Sequence, residues 1–283
     1  MDTILPQWIM TRIDSIRDEV VEHKVVDNWF LMPSWFPVTT IVVVYLIFVK
    51  YVGPKMMENR KPYNIKYIIL AYNLIQTLYN ANIVAYVSTY VLKIVTNMSE
   101  ISFYFDKKQE KPYQSLTQLL SQQAFCEASY LYYISKIIDL LDTIFFVLRK
   151  KNSHITFLHV YHHAMMVLTT WAFLRYFKGE QGIFIGLLNS LVHVVMYSYY
   201  FLAALGPEVQ KYLWWKKYIT KFQLTQFALF CIHQLSLIVL SCDMPVALTY
   251  YIFFQAVVMC VLFGNFYYQT YTKKHNKQAK ATE

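Results

Sequence analysis

Long apolar runs, broken by short polar connections that carry Pro and Gly, organise this chain. A helix that crosses a bilayer needs about 20 mostly apolar residues, and seven stretches approach or exceed that length: 38–52, 67–92, 125–148, 157–173, 182–205, 219–240 and 246–268. The first is the shortest. Gly53-Pro54 and Lys61-Pro62 follow the first run, Gly206-Pro207 follows the fifth and Pro245 precedes the seventh, which places turns between the runs. Upstream, Asp14, Asp18, Glu19, Glu22 and Asp27 are scattered among apolar positions. That is the pattern of an amphipathic surface helix and not of a targeting peptide. The expected organisation is an amino-terminal amphipathic segment (1–37), a membrane domain (38–270) and a basic tail (271–283), in an all-α integral membrane protein. There is no internal repeat and no low-complexity segment.

Composition sharpens this picture. Of 283 residues, 57% are hydrophobic and 18% aromatic while only 15% are charged, too apolar for an ordinary soluble domain. The net charge of +9 does not point to nucleic acid, because the basic residues fall between apolar runs instead of forming a patch on a polar domain. They act as topology signals. Sixteen of the 26 Lys and Arg lie on one side of the alternating runs and nine on the other, Lys136 being within a run. The richer side is expected to be cytosolic, which puts the amino terminus in the lumen and the carboxyl terminus in the cytosol. Asn97-Met98-Ser99 is then a lumenal glycosylation sequon. Cys126, Cys231, Cys242 and Cys260 sit in or at the ends of apolar runs without CxxC spacing, so no disulfide framework is expected.

Against that apolar background, ionisable residues inside the runs are the candidates for function, since each costs several kcal/mol unless it faces protein or water. They are Lys136, Asp139, Asp142, His159, His162, His163, His193 and His233. His159, His162 and His163 are spaced i, i+3, i+4 and share one helix face; Lys136, Asp139 and Thr143, with Asp142, show the same spacing on the preceding run. A lone buried histidine, as at His233, is more often a hydrogen-bonded structural residue, and Lys136 with Asp139 or Asp142 also fits a structural ion pair. Two chemistries suit the histidine cluster. One is metal ligation, but a di-iron site needs more ligands than eight histidines with one HxxHH provide. The other is nucleophilic and acid/base catalysis: imidazole attacks thioesters near neutral pH, an acyl-imidazole is itself an acyl donor, and a carboxylate fixes an imidazole tautomer.

Four motifs in order carry a resemblance. Lys136-Ile-Ile-Asp139-Leu-Leu-Asp142-Thr143 resembles KxxExxDT, His159-Val-Tyr-His162-His163 a histidine box, Asn189 to Tyr200 the pattern NxxHxxMYxYY, and Thr220-Lys-Phe-Gln223-Leu-Thr-Gln226 the pattern TxxQxxQ. Together they resemble the fatty-acid elongases, the very-long-chain 3-oxoacyl-CoA synthases, over most of the chain. Asp139 stands where the motif has Glu, one methylene shorter, and the tail lacks the paired lysines of a retrieval signal.

The resemblance implies seven transmembrane helices, six of them forming a barrel around an acyl tunnel, in the endoplasmic reticulum membrane. It implies condensation of a long-chain acyl-CoA with malonyl-CoA to 3-oxoacyl-CoA, CoA and CO2, the first step of a two-carbon elongation cycle that also feeds sphingolipid synthesis. No metal or other cofactor is expected. His162 is the implied nucleophile and His193 a second catalytic histidine, with His159 and His163 positioning, Asp139 and Asp142 orienting imidazoles, and Lys136, Asn189, Tyr197, Tyr200, Gln223 and Gln226 contacting substrate or the histidines. Arg149, Lys150, Lys151, Lys216, Lys217 and Lys221 are placed to attract CoA phosphates. The partners implied are membrane lipids and the other enzymes of the cycle, and a homodimer is admitted.

Overall fold

A computed structural model describes residues 24–105, 112–177, 181–240 and 246–273. The expectations for residues 1–23, the Asn97 side chain, Cys242, Pro245 and the tail from residue 274 lie outside the described residues. Those that are described form long helices, with no strand among them. Seven are long: α1 (Trp35–Ile47), α2 (Lys66–Phe105), α3 (Pro112–Leu148), α4 (Phe157–Ala172), α5 (Gln181–Leu205), α6 (Lys216–Val239) and α7 (Val246–Tyr267). Three continue through a π turn: α1 at Phe48–Val52 and on to Met57, α4 at Phe173–Phe177, and α7 at Tyr268–Thr272.

Among the described residues, five helices are long and apolar enough to cross a membrane: Trp35–Met57, Lys66–Leu92, Gly182–Leu205, Lys216–Val239 and Val246–Thr272. The two long helices left out, α3 and α4, carry Lys136, Asp139, Asp142 and the three clustered histidines. Their departure from apolar composition is the signature of the site they build.

Local chemistry sets the helix ends. The Ser34 hydroxyl accepts from the Phe36 N–H at 3.1 Å and starts α1. Thr156 accepts from the His159 N–H at 3.2 Å, so α4 begins just before the histidines and they emerge in its first two turns. α3 ends with the Lys151 N–H reaching the Phe146 carbonyl and the Lys150 N–H reaching Val147, with Lys150 at φ 53, a Schellman closure. Gly206 turns the chain out of α5 at φ 137, where an L side chain would be strained.

Gly53-Pro54 does not break the first run as the sequence suggested. The π turn lets the Gly53 N–H bond to the Phe48 carbonyl, the helix carries Pro54 in the first turn of its next segment, and the run ends at Met57. A Cβ on Gly53 would lie 2.6 Å from a Val147 methyl, so the bare glycine allows α1 to rest against the end of α3.

Three apolar clusters join the helices. The first packs Val38, Val42 and Tyr45 of α1 against Tyr133 and Leu140 of α3 and Val167 and Trp171 of α4, with Val26 and Met32 closing one end. The second joins Ile83 and Val87 of α2 to Ala128 and Tyr132 of α3, and the third joins Phe227 and Phe230 of α6 to Ala256 and Met259 of α7. α2 and α5 run antiparallel, tied at one end by the Lys66 ammonium donating to the Leu205 carbonyl at 2.8 Å. Between the second and third clusters lies a cavity.

Candidate active site

The charged face of α3 is the hub. Lys136 and Asp139, each only 2% exposed, pair at 2.9 Å. The ammonium also donates to the Asn189 side-chain oxygen at 2.9 Å, sits 3.4 Å from His193 Nδ1, and lies 4.8 Å above the Tyr132 ring. Tyr132 donates its hydroxyl to the same Asn189 oxygen at 2.9 Å. The cation is thus held by a carboxylate, an amide oxygen and an aromatic face, which is what a charge in a low-dielectric interior requires.

Asp139 accepts from Tyr197 at 2.9 Å and from the Gln76 side-chain amide. Tyr197 is fully buried and also lies 2.7 Å from Asp142. A phenol has one proton and donates to one carboxylate at a time; the other contact is made when that carboxyl itself carries a proton and donates to the phenol oxygen. Asp139, Asp142 and Tyr197 therefore form a unit that can hold a shared proton.

The three clustered histidines go to different places. The His159 Nε2 is 2.9 Å from the Thr143 hydroxyl, which is 2.8 Å from the Tyr45 hydroxyl, so half-buried His159 has that nitrogen tied into the α1–α3 contact. His163 is buried with its ring 4.3 Å from that of His159 and 5.7 Å from that of His162. His162 lines the cavity, and its Nδ1 is buried without a hydrogen-bond partner. Buried polar atoms are mostly hydrogen-bonded, so an unpartnered imidazole nitrogen in the cavity wall stands out.

The cavity has a volume of about 130 Å³, and its wall is almost wholly apolar. Of the residues picked from the sequence, His162, Asn189 and Gln226 line it. Gln226 meets Asn189 at 3.5 Å. Lys136, Asp139, Asp142, His193 and Tyr197 stand in the network described above, and His193 lies within electrostatic reach of His162. Gln223 points its amide at the Met196 sulfur at 3.7 Å, and Tyr200 packs edge-on to Tyr197, half-exposed. His233 stacks on Phe184 at 4.6 Å, away from the hub.

The family comparison falls on this same body of helices: the model described as "ELO: GNS1/SUR4 family" matches residues 30–279. The chain belongs to the ELO family. Three curated relatives give the scale of likeness. It is 42% identical over 251 residues to very long chain fatty acid elongase 7 of Rattus norvegicus, covering 88% of this chain and 85% of the relative. It is 39% identical over 258 residues to elongase 2 of Rattus norvegicus, covering 89% and 86%. It is 36% identical over 261 residues to elongase 4 of Homo sapiens, covering 92% and 79%.

Within this ELO-family chain, the structure adds site residues that the sequence reading did not single out. Asn73, Gln76 and Asn80 of α2 are all buried, spaced i, i+3, i+7, and Gln76 reaches Asp139 while Asn80 donates to the Gln76 carbonyl at 2.9 Å. The signal was a stripe of amides on one face of an apolar helix. Tyr72 joins from the same helix, 3.4 Å from the Tyr197 hydroxyl. Outside the helices, His154 stands in the α3–α4 connection. Its pKa is held below the ordinary imidazole value, first by burial and then by the cations of Lys216 and Lys151. Lys216, at the start of α6, therefore lies near that connection.

Proposed function

We propose that this protein is a fatty-acid elongase that condenses a long-chain acyl-CoA with malonyl-CoA to give 3-oxoacyl-CoA, CoA and CO2. One observation carries the reading: His162, with a ring nitrogen free of any hydrogen-bond partner, stands with Asn189 and Gln226 in the wall of an otherwise apolar cavity. A cavity of that kind suits an alkyl chain, and an unbonded imidazole suits attack on the thioester at its head.

In the first half-reaction, a His162 ring nitrogen attacks the thioester carbonyl, the C–S bond breaks and CoA leaves with the imidazole proton. An acyl-imidazole remains. In the second, malonyl-CoA loses CO2, the resulting enolate carbon attacks the acyl carbon, the C–N bond breaks and the imidazole is regenerated. The product is a 3-oxoacyl-CoA two carbons longer. One proton is consumed overall, and the Asp139–Tyr197–Asp142 unit beside His193 is placed to deliver it. His193, braced by Lys136, polarises the reacting carbonyl, and Asn189 and Gln226 hydrogen-bond substrate; His163 and His159 fix the ring of His162 from behind, while Tyr200 and Gln223 flank the network on its cytosolic side.

On this reading seven helices cross the endoplasmic reticulum membrane, six of them surrounding the tunnel, with the amino terminus lumenal. The cations gathered near His154 face the cytosol and attract CoA phosphates. The transmembrane domain spans 38–270, the other enzymes of the elongation cycle are its neighbours, and no cofactor takes part.

The test is malonyl-CoA-dependent elongation by purified protein over saturated and unsaturated acyl-CoAs, with His162→Ala alongside and intact mass measured before malonyl-CoA is added. An acyl mass and a 3-oxoacyl product from wild type only are expected. Elongation by His162→Ala at the wild-type rate sinks the acyl-imidazole scheme, and no extension of any acyl-CoA by wild type sinks the elongase reading.

A further inference from the structure

The two ends of the cavity differ in chemistry. His162, Asn189 and Gln226 line the cavity, as do Phe173 and Gly182, and helix geometry sets the two groups apart. His162 and Phe173 belong to one helical run, 11 residues apart in sequence. At 1.5 Å per residue this is about 16 Å. α5 runs the opposite way, and Gly182, seven residues before Asn189, is brought against Phe173.

The Phe173 ring lies directly on Gly182. A Cβ built there would come 2.4 Å from the ring Cζ and 2.5 Å from Cε1. Those atoms are the tip of the ring, so any side chain at 182 displaces the ring from its seat. Phe173 also opens the π turn at the end of α4, a distortion that concentrates at functional sites. Thr169 and Tyr251 line the middle of the cavity but hold one another at 2.8 Å and stay in the wall.

We propose that Phe173, seated on Gly182, is the chain-length stop of this cavity: it meets the methyl end of an acyl chain whose reacting carbon lies at His162. The inference rests on the elongase reading above and specifies which part of the site selects the substrate. Apolar pockets discriminate steeply against a methylene that does not fit, by roughly 10-fold or more. Gly182 sets how far back the ring can lie, and the ring sets the length admitted.

The experiment measures kcat/KM for wild type, Phe173→Ala, Phe173→Leu, Gly182→Ala and the double variant Phe173→Ala/Gly182→Ala. The substrates are saturated acyl-CoAs increasing by two carbons. Phe173→Ala is expected to raise kcat/KM about 10-fold for the first substrate too long for wild type, leaving shorter ones little changed. Phe173→Leu should fall between, and guards against a truncation that simply fails to fold. Gly182→Ala should move the preference to shorter chains. The double variant should behave like Phe173→Ala, because the added methyl then has no ring to displace. Length profiles that superimpose on wild type in both Phe173 variants overturn the proposal, as does a Gly182→Ala effect that persists in the double variant. If wild type itself extends no acyl-CoA, the elongase reading falls and takes this one with it; wild-type turnover with unchanged profiles removes the stop alone.

Discussion

The two walls of the cavity are built on opposite principles. On the α2–α3–α5 side, Lys136, Asp139, Asp142, Asn189, Tyr197, Tyr132 and Gln76 hold one another through directional bonds. Where α4 faces α7, Tyr161 bonds Gln255 at 3.0 Å and Thr169 bonds Tyr251 at 2.8 Å, and among the described residues Leu158 of α4 joins an apolar cluster with Ala256 and Met259 of α7. A charge left unpaired in a low-dielectric interior is costly, so the first wall is held to the register that pairs Lys136 with Asp139, even though the Gln76 side-chain oxygen is buried there without a partner. Apolar contact is non-directional and tolerates displacement. On the proposed function the contrast divides the work: one wall holds imidazoles and charges in place, and the other accommodates the acyl tail.

Removing a partner from the fixed wall should have the largest effect. Lys136→Met leaves Asp139 buried without its counter-charge, which costs about 3–5 kcal/mol. Denaturant unfolding in lipid micelles reads this directly. The double variant Lys136→Met/Asp139→Leu should recover much of that stability without recovering turnover. If Lys136→Met unfolds like wild type, the pair is not what holds this wall.

Tyr197→Phe comes next. It deletes a hydroxyl that serves two carboxyls, and hydrogen bonds to charged groups are worth about 1.5–3 kcal/mol. Turnover should fall more than substrate affinity, since the ring stays packed against Tyr72 while the shared proton is lost. A rise in KM with unchanged kcat would move Tyr197 from the chemistry to substrate binding.

Much of this wall was legible in the sequence, and the reason is periodicity. Lys136, Asp139 and Thr143 announce one face of a helix because charges stand out in an apolar run, and the HxxHH spacing puts three imidazoles together. Asn73, Gln76 and Asn80 have the same periodicity, but neutral amides barely lower the hydropathy of a run and attract less notice. The division of the three histidines was not legible at all. His159 bonds Thr143, itself bonded to Tyr45, while His162 faces the cavity, a difference made by where α1 and α3 lie and not by anything on α4. Gly53-Pro54 misled because local turn chemistry assumes α-helical hydrogen bonding, and a π turn evades it. The cavity's far end was likewise hidden, since a glycine twenty residues beyond a histidine box carries no mark of what rests on it.

Asn80→Ala falls between the extremes. Asn80 spends its amide on a carbonyl of its own helix while its side-chain oxygen is buried without a partner, so its removal loses one bond and also one desolvated acceptor. The two contributions oppose, and the net change should be below about 1 kcal/mol. A loss as large as that from Tyr197→Phe would mean that Asn80 is bound into the charged network.

The smallest effect should come from Thr169→Val, which keeps the shape of the side chain and deletes one hydroxyl on the tolerant wall. Its bond to Tyr251 is neutral and joins two helices whose remaining contact is apolar, and such interhelical bonds average about 0.6 kcal/mol. Thr169→Val/Tyr251→Phe should then cost no more than either single change, because the second hydroxyl has already lost its partner. Set beside Tyr197→Phe, this is the same chemical deletion on opposite walls. A several-fold larger stability loss at Tyr197 is what the division of labour requires; equal losses would mean that the α4–α7 seam is as tightly specified as the charged wall, and that the acyl tail is accommodated by something other than a yielding side of the cavity.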